Sequence, residues 1–241
     1  MKTVLITGAS QGIGAAVAEL FWAQGWHVGL VARRASVLAD LAKGKAATVL
    51  PADVTDAGSV QAAFDQFTND VGHLDVVFNN AGMFGPSGSI DAVAVDDFDQ
   101  VMSVNVRGMF LVAQAAFRHM RNQTPQGGRI INNGSISAHS PRAGSVCYTT
   151  SKHAISGMTK SIALDGRPFN IASGQIDIGN AETAMVTDLN DRRVSGGQDP
   201  LPTMSVDAAA QAVVHMAQLP LEANVQNMTI LATQMPFVGR G

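Results

Sequence analysis

Cysteine is almost absent from the chain, and several other signals of particular functions are missing too. The 241 residues contain one cysteine, Cys147, which excludes an internal disulfide and a cysteine-rich zinc site and favours a reducing compartment. The six histidines show no metal-ligand spacing, so we expect no metal. The net charge is −3 with basic residues scattered along the chain, and this pattern predicts no nucleic-acid partner.

Long apolar runs are lacking as well. The first apolar stretch, residues 3–6, is shorter than the apolar region of a secretory signal, and no later run is long enough to cross a bilayer. We therefore expect a cytoplasmic protein that does not bind a membrane. No internal repeat or low-complexity linker interrupts the chain, and its length allows one large α/β domain with a sizeable core.

Strand-like and helix-like segments alternate along the chain, which is typical of a parallel sheet covered by helices. We predict one α/β domain over residues 1–241, a Rossmann-type doubly wound parallel sheet of about seven strands with helices on both faces. The segment 184–204 is polar, contains Gly196 and Gly197, and lacks strong periodicity, which predicts a flexible substrate flap. Strands are expected at 3–6, 26–32, 47–50, 74–78, 129–133, 171–178 and 228–232, and helices at 15–24, around 60–67, at 98–121, 148–165 and 206–218.

The chain has a single tyrosine, Tyr148, and Lys152 follows it four positions later. On a helix this spacing puts both side chains on one face, one turn apart, where the ammonium would stabilise the phenolate and lower the pKa of the tyrosine. Ser135 follows the fifth strand, where open α/β sheets bind ligands. The three groups together predict a proton-transfer site, whereas the tyrosine and lysine alone are also compatible with an ordinary helix surface.

A glycine-rich loop connects the first strand to the first helix. Glycines permit a tight turn and close backbone approach, and a helix amino terminus offers free N–H groups to a phosphate. The loop therefore predicts the pyrophosphate site of a dinucleotide, although ordinary turns can have the same glycines. The loop residues assigned to the cofactor are Gly8, Ser10, Gln11, Gly12, Ile13 and Gly14.

Arg33 and Arg34 follow the second strand, where NAD-preferring sites carry an acid. Guanidinium groups suit a 2′-phosphate, so the pair predicts a preference for NADP(H). NAD(H) stays the alternative, with a merely solvated pair of arginines. Asp53, followed by Val54, ends the third strand and either accepts a hydrogen bond from the adenine amino group or caps the next helix.

Small and amide residues follow the fourth strand. In the turn 79–82, Asn80, Ala81 and Gly82 let the backbone lie against a cofactor, or the asparagines simply hold the turn together. Further on, Asn105 interrupts a helical pattern of valines. A buried asparagine needs hydrogen-bond partners, so Asn105 belongs either to a structural network or to a proton path.

The glycine loop, the Asn-Asn-Ala-Gly turn and the Tyr-x-x-x-Lys pair, in this order, resemble the short-chain dehydrogenase/reductase family in its compact single-domain branch. The resemblance covers nearly the whole chain and implies a catalytic tetrad. Tyr148 would be the general acid/base, Ser135 would bind the carbonyl oxygen, and Lys152 would hold the nicotinamide ribose and lower the tyrosine pKa. Asn105 would anchor a proton-relay water. Ser137 competes for the serine role, but Ser135 has the family spacing to the tyrosine.

The resemblance also implies contacts after the sixth strand and an assembly state. Gly179, Ala181 and Thr183 are expected near the nicotinamide, as are Tyr148 and Lys152. The family usually has a proline before the glycine; Ile178 stands there instead and leaves the loop entry less rigid. Because family members commonly form tetramers through their two long helices, a homo-oligomer, a tetramer or a dimer, is expected.

These observations predict an NADP(H)-dependent oxidoreductase that transfers a hydride between nicotinamide and a small carbonyl or secondary alcohol substrate. A non-catalytic NADP-binding regulatory protein and an NAD-dependent polyol or alcohol dehydrogenase are the alternatives. Loops at 85–89, 138–146 and 184–204 are expected to form the substrate pocket. Within them, Arg142 either selects an anionic substrate, contacts another subunit or is solvated.

Overall fold

A seven-stranded parallel sheet forms the centre of the computed structural model, which describes residues 1–238. The last three residues of the predicted domain, 239–241, lie outside the described residues. The strands are β1 (Thr3–Thr7), β2 (His27–Ala32), β3 (Ala47–Pro51), β4 (Val76–Asn79), β5 (Gly128–Asn133), β6 (Ile171–Gly179) and β7 (Asn227–Leu231). Neighbouring strands are parallel throughout, in the order β3-β2-β1-β4-β5-β6-β7, which confirms the predicted fold class.

Helices connect successive strands and cover both faces of the sheet. They are α1 (Gly12–Ala23), α2 (Ala35–Ala42), α3 (Ala57–Val71), α4 (Val95–Met102), α5 (Met109–Asn122), α6 (Val146–Gly166), α7 (Ala184–Ser195) and α8 (Val206–Gln218). A π-helical segment, Ser103–Gly108, joins α4 to α5, and short 3-10 turns occupy Ile136–Ala138 and Arg167–Phe169.

The alternation of side chains along each strand divides the core into two layers. In β1, Val4 belongs to the apolar cluster that contains Phe21 of α1, whereas Leu5 belongs to the opposite cluster, with Phe64 of α3. Helices α1, α2 and α8 cover the first layer, and α3 and α5 cover the second. Burying a side chain of this size stabilises the fold by about 1.5–3 kcal/mol, which fixes the strand register on both faces.

The strand order changes direction between β1 and β4, because the chain first builds β2 and β3 on one side of β1 and then continues on the other. In open parallel sheets this arrangement leaves a crevice at the carboxyl ends of the strands. Gly8 directly follows β1, and Asn80 directly follows β4. Ser135 follows β5 after one intervening residue. The fold therefore brings these three segments together at the carboxyl ends of the strands.

Three helical segments differ from those expected. The segment 184–204, predicted to be a flap, contains the helix α7, whose single buried residue, Val186, leaves almost no apolar periodicity to detect. The flexibility of this segment stays a prediction. Helix α2 was not predicted for the same reason, since Leu38 is its one buried residue. The long helix predicted at 98–121 is divided into α4, the π segment and α5.

Candidate active site

A cavity of about 980 Å³ lies at the carboxyl ends of the strands, where the strand order changes direction. It runs from the residues after β2 and β3 to those after β5 and β6, so most of the predicted site residues share one space. Of these residues, the ones that line it are Gly8, Ser10, Gln11, Gly12, Ile13, Arg33, Arg34, Asp53, Val54, Asn80, Ala81, Gly82, Ser135, Tyr148, Lys152, Ala181 and Thr183. Gly14, Asn105 and Gly179 lie behind its walls.

The glycine loop is shaped by close backbone contacts. Gly8 and Gly12 have φ values of +65° and +56°, which glycine adopts without strain. A Cβ atom on Gly8 would lie 3.0 Å from the side-chain nitrogen, Nδ2, of Asn80, and one on Gly14 would lie 2.4 Å from the carbonyl oxygen of Gly8. Gly14 thus permits packing, whereas Gly12 and Ile13 place the amino terminus of α1 on the cavity wall. Its free N–H groups fit a pyrophosphate.

Arg33 and Arg34 lie at one end of the cavity. Both side chains are exposed, and Nη2 of Arg34 donates a hydrogen bond to Oε1 of Gln11 at 3.3 Å. This contact joins the residues after β2 to the glycine loop. Arg34 therefore lies against the loop after β1, and Arg33 lines the same end of the cavity.

Asp53 lies at the same end and does not cap α3. Its Oδ1 accepts hydrogen bonds from the main-chain N–H and the hydroxyl of Thr55, at 2.9 and 2.8 Å. The cap is Asp56, whose Oδ1 accepts from the N–H of Ser59. The bonds from Thr55 lower the pKa of Asp53, with a smaller contribution from the charge of Arg33. The cap interpretation of Asp53 is wrong, and its carboxylate lies on the cavity wall.

The turn after β4 is held by its asparagines. The hydroxyl of Thr7 accepts hydrogen bonds from the N–H groups of Asn80 and Ala81, at 2.8 and 3.0 Å, and Nδ2 of Asn80 donates to the carbonyl of Thr7 at 2.9 Å. Nδ2 of Asn79 donates to the carbonyl of Met109. These bonds join the turn to β1 and the end of β4 to α5, and Ala81 lines the cavity with its small side chain.

Ser135 and Tyr148 meet at the other end of the cavity. Tyr148 lies in the first turn of α6, and the hydroxyl of Ser135 lies close enough to its phenol to lower the pKa of that phenol. That hydroxyl also accepts from the N–H of Ser137 at 3.1 Å. The ring of Phe84 packs edge-on against the tyrosine, with ring centres 4.9 Å apart. The structure thus places a serine hydroxyl, a phenol and an aromatic wall around one point.

The prediction that the pKa of Tyr148 is lowered is wrong in its net direction. Burial raises this pKa because it disfavours the phenolate, and a hydrogen bond from Ser135 and the charge of Arg142 offset only part of the effect. Nζ of Lys152 lies 5.4 Å from the centre of the tyrosine ring and donates to the carbonyl of Asn133 at 2.7 Å. Burial also lowers the pKa of Lys152, to about 8. Loss of hydration therefore dominates both groups.

Asn105 lies in the π segment and is fully buried. Its Nδ2 donates to the carbonyl of Met83 and to the hydroxyl of Ser151, at 2.8 and 3.0 Å, and its Oδ1 accepts from the N–H of Met83 at 2.8 Å. The side chain thus connects the segment after β4 to α6. These contacts describe a structural network, and the role of Asn105 in a proton relay stays a prediction.

The segment after β6 folds back over the glycine loop. A Cβ atom on Gly12 would lie 3.3 Å from the methyl group of Thr183, so the two segments are in contact. Ala181 is buried beside them on the cavity wall. Gly179 packs elsewhere, since a Cβ atom there would lie 2.7 Å from Cβ of Leu231. Gly179 therefore allows β6 to approach β7 and does not reach the cavity.

Several residues of the site were not predicted. Met83 and Phe84 line the cavity in place of the expected loop 85–89. Arg142 and the first residues of α7, which also line it, belong to the predicted pocket segments 138–146 and 184–204. Ser103 reaches it from the π segment, and no local sequence signal marks that residue. Asp177, buried behind Ser135, did have a signal, because an acid is unusual within a central strand.

Cys147, the sole cysteine of the sequence, is buried as a free thiol.

Among residues 1–238, no helix combines the length and the apolar character that crossing a bilayer requires. The same part of the chain contains no group of three or more His, Cys, Asp or Glu side chains suited to hold a metal ion.

Comparisons with known proteins place this geometry in context. The model of the family described as short chain dehydrogenase matches residues 2–194. The 2-(R)-hydroxypropyl-CoM dehydrogenase of Xanthobacter autotrophicus is 38% identical over 192 residues, which are 76% of this chain and 76% of that protein. A crystal structure of 3-ketoacyl-(acyl-carrier-protein) reductase from Brucella melitensis, complexed with NADH, has a TM-score of 0.85 and 26% identity, covering 95% of this chain and 96% of that chain. ElxO with NADP bound has a TM-score of 0.85 and 25% identity, covering 96% and 97%.

Proposed function

The chain belongs to the short-chain dehydrogenase/reductase family, oxidoreductases that act on CH–OH groups with a nicotinamide cofactor, and from this premise we propose that it reduces a small carbonyl compound with NADPH, with Tyr148 as the proton donor. One observation carries the proposal. Ser135, Tyr148 and Lys152 lie together at one end of a cavity whose other end carries Arg33 and Arg34.

Each side chain at the catalytic end has a defined task in this proposal. A nicotinamide cofactor, when bound, would supply the hydride for the carbonyl carbon. Ser135 donates a hydrogen bond to the carbonyl oxygen, and Tyr148 transfers its proton to the same oxygen, which yields the alcohol. The phenolate left behind is stabilised by the nearby ammonium of Lys152, and it recovers a proton from water. In the reverse direction the phenolate accepts the proton of the alcohol.

The protonation state of Tyr148 supports reduction. Because burial raises the pKa of the phenol, Tyr148 carries its proton at neutral pH and is ready to act as an acid. Lys152, with a pKa of about 8, is mostly charged at neutral pH. The pair thus begins in the state that carbonyl reduction requires, whereas alcohol oxidation first requires removal of the phenolic proton.

The cofactor preference rests on charge. Arg33 and Arg34 provide two cations at the adenosine end, and Asp53, the acid nearest to them on the cavity wall, is engaged by Thr55. A 2′-phosphate would pair with the guanidinium groups, which favours NADP(H) over NAD(H). Asp53 and Val54 would face the adenine, the loop from Gly8 to Gly14 the pyrophosphate, and Ala181 and Thr183 the nicotinamide.

Two further parts of the proposal concern assembly and location. Phe110 of α5 and Leu164 of α6 are large apolar residues with 48% and 57% of their surface exposed. Exposed apolar side chains on both long helices support a homo-oligomer formed through these helices. The buried free thiol of Cys147 supports a reducing compartment, and we propose the cytoplasm.

The test is the variant Tyr148→Phe, assayed by NADPH consumption over a panel of aldehydes and ketones. Removing a general acid should lower kcat by roughly 10²–10⁴-fold, while the Kd for NADPH stays close to that of the parent protein. Thr150→Val is the matched control, because it deletes a hydroxyl from α6 outside this cavity. A Tyr148→Phe protein that reduces a good substrate near the parent rate would refute the proposal. A parent protein that binds NADPH and reduces nothing would favour the regulatory alternative.

A further inference from the structure

Asp177 of β6 is a fully buried carboxylate beside the proposed catalytic residues. Burying a charge is costly unless hydrogen bonds replace the lost water. Here Oδ1 accepts from the N–H of Ser135 at 2.8 Å and from Nε2 of Gln175 at 2.7 Å. Oδ2 accepts from Nε2 of His139 at 2.6 Å and from Nδ2 of Asn227 at 2.8 Å. The four bonds replace the water that the carboxylate loses on burial.

Gly134 makes room for this carboxylate. A Cβ atom on Gly134 would lie 2.0 Å from Oδ1 of Asp177 and 2.7 Å from Nε2 of Gln175, distances that no side chain can tolerate. The φ angle of Gly134 is not in the left-handed region, so backbone conformation does not require glycine there. The glycine is needed because the acid lies against it. The two residues therefore form a matched pair at the end of β5.

The segment 133–135 is held from two sides. Lys152 donates to the carbonyl of Asn133 at 2.7 Å, and the N–H of Ser135 donates to Asp177 at 2.8 Å. Gly134, between them, donates to the main chain of β6 at Ile176. The acid thus fixes the main chain of the serine whose hydroxyl influences the pKa of the phenol.

We propose that Asp177 is a positioning residue of the active site, which anchors Ser135 through its main chain and keeps a negative charge beside Tyr148 and Lys152. The inference deepens the proposed function and rests on it for the roles of these three residues. The standard tetrad of the family resemblance does not include this acid, and it has no direct contact with the cavity, so it acts through its neighbours.

The charge of Asp177 has a defined effect on both groups. It raises the pKa of Tyr148, because it disfavours the phenolate, and it raises the pKa of Lys152, because it favours the ammonium. Arg142 has the opposite effect on the tyrosine. His139 is the cation-forming side chain that contacts the acid directly, and its own side chain is 42% exposed. Without the carboxylate, both pKa values should fall.

The single tyrosine makes the inference measurable without any substrate. Tyrosinate absorbs in the near ultraviolet, and Tyr148→Phe provides the blank, so an alkaline titration reports one phenol. In Asp177→Asn, the phenol should titrate at a pH roughly one unit lower than in the parent protein, the size expected of a nearby charge. Circular dichroism on the same samples defines the pH range in which each protein is folded.

Two controls separate charge from packing. His139→Ala removes one hydrogen bond from Asp177 but keeps its charge, so the titration should not move. Asp75→Asn removes a carboxylate that likewise accepts a hydrogen bond from a main-chain N–H, that of Thr3. Asp75 lies at the amino ends of the strands, whereas Tyr148 lies at their carboxyl ends. It too should leave the titration of Tyr148 unchanged.

A second variant protects the test if Asp177→Asn does not fold. Asn227 is exposed on β7, and its Nδ2 donates to Oδ2 of Asp177. Asn227→Asp therefore adds negative charge at the same place, and Tyr148 should then titrate at a higher pH than in the parent. The inference would be overturned if the midpoint of the Tyr148 titration did not change in whichever of Asp177→Asn and Asn227→Asp is folded. A shift opposite to the one stated for that variant would overturn it as well.

Activity gives an independent readout. Carbonyl reduction needs protonated Tyr148 and charged Lys152, so in Asp177→Asn the alkaline limb of kcat/KM should move to lower pH. A loss of kcat/KM by the same factor at every pH would show that Asp177 acts only by anchoring Ser135, and that result would overturn the inference that its charge acts on Tyr148 and Lys152. The two proposals fail separately: a shifted titration without any turnover counts against the proposed function alone, and an unshifted titration with normal turnover counts against Asp177 alone.

Discussion

The two halves of the cavity use charge in opposite ways. In the nucleotide half, at the ends of β1 to β3, the charges of Arg33 and Arg34 are exposed and the loop after β1 contributes backbone groups. In the catalytic half, at the ends of β5 and β6, Lys152 and Asp177 are 3% and 0% exposed. In the proposed function, one half would recognise the cofactor with solvated cations, and the other would set the proton affinities of Tyr148 and Lys152 with buried charges.

The contrast predicts which property of the protein depends on each half of the cavity. Solvent screens exposed charges, so each acts almost alone and its loss should alter affinity for one part of the cofactor. Buried charges act on their neighbours through a medium of low polarity, so a change in one alters the proton affinity of several. We therefore expect substitutions in the nucleotide half to change cofactor choice and substitutions in the catalytic half to change rate and pH dependence.

The largest effect that would sharpen this contrast is expected from Ser135→Ala. Loss of the hydroxyl that contacts the phenol and the proposed carbonyl oxygen should lower kcat by roughly 10²–10³-fold. The Kd for NADPH should not change, because Ser135 lies in the catalytic half. Steady-state kinetics and a fluorescence titration measure the two quantities. Ser137→Ala is the matched control and should retain most of the parent kcat; a larger loss there would reassign the serine role.

An intermediate effect is expected from Arg33→Asp in the nucleotide half. Charge-assisted hydrogen bonds contribute about 1.5–3 kcal/mol each, so NADPH should bind roughly 10–100-fold more weakly, while NADH binding is not weakened. Lys43→Asp makes the same change of charge at an exposed position outside the cavity and should affect neither cofactor. Equal weakening of both cofactors by Arg33→Asp would contradict the NADP preference and bring back the NAD-dependent alternative.

The smallest effect concerns pH in the catalytic half of the parent protein. Because burial lowers the pKa of Lys152 to about 8, its ammonium is present below that pH and is lost above it. The kcat/KM for carbonyl reduction should therefore decline above about pH 8, by about tenfold for each further unit. Tyr148, whose pKa is raised, keeps its proton through this range. Lys152→Arg should have a lower kcat/KM than the parent protein but a smaller decline above pH 8. A parent profile with no decline between pH 8 and 10 would contradict the role of the ammonium.

The sequence alone determined the fold class and about half of the residues that line the cavity. Strands with apolar side chains on both faces, the glycine spacing of Gly8, Gly12 and Gly14, and the four-residue step from Tyr148 to Lys152 are local patterns. Each reflects a local requirement of backbone conformation, burial or helical geometry. Such requirements can be evaluated without knowing what packs against the segment.

Only the tertiary structure decided the electrostatics of the catalytic half. The spacing of Tyr148 and Lys152 predicts a lowered tyrosine pKa, but the pKa depends on hydration, and burial raised it. Asp177 accepts a hydrogen bond from Ser135, which lies 42 positions earlier in the chain, and the two residues meet because β6 lies beside β5 in the sheet. Desolvation and charge interactions sum over everything nearby in space, so the local sequence around these groups does not contain them.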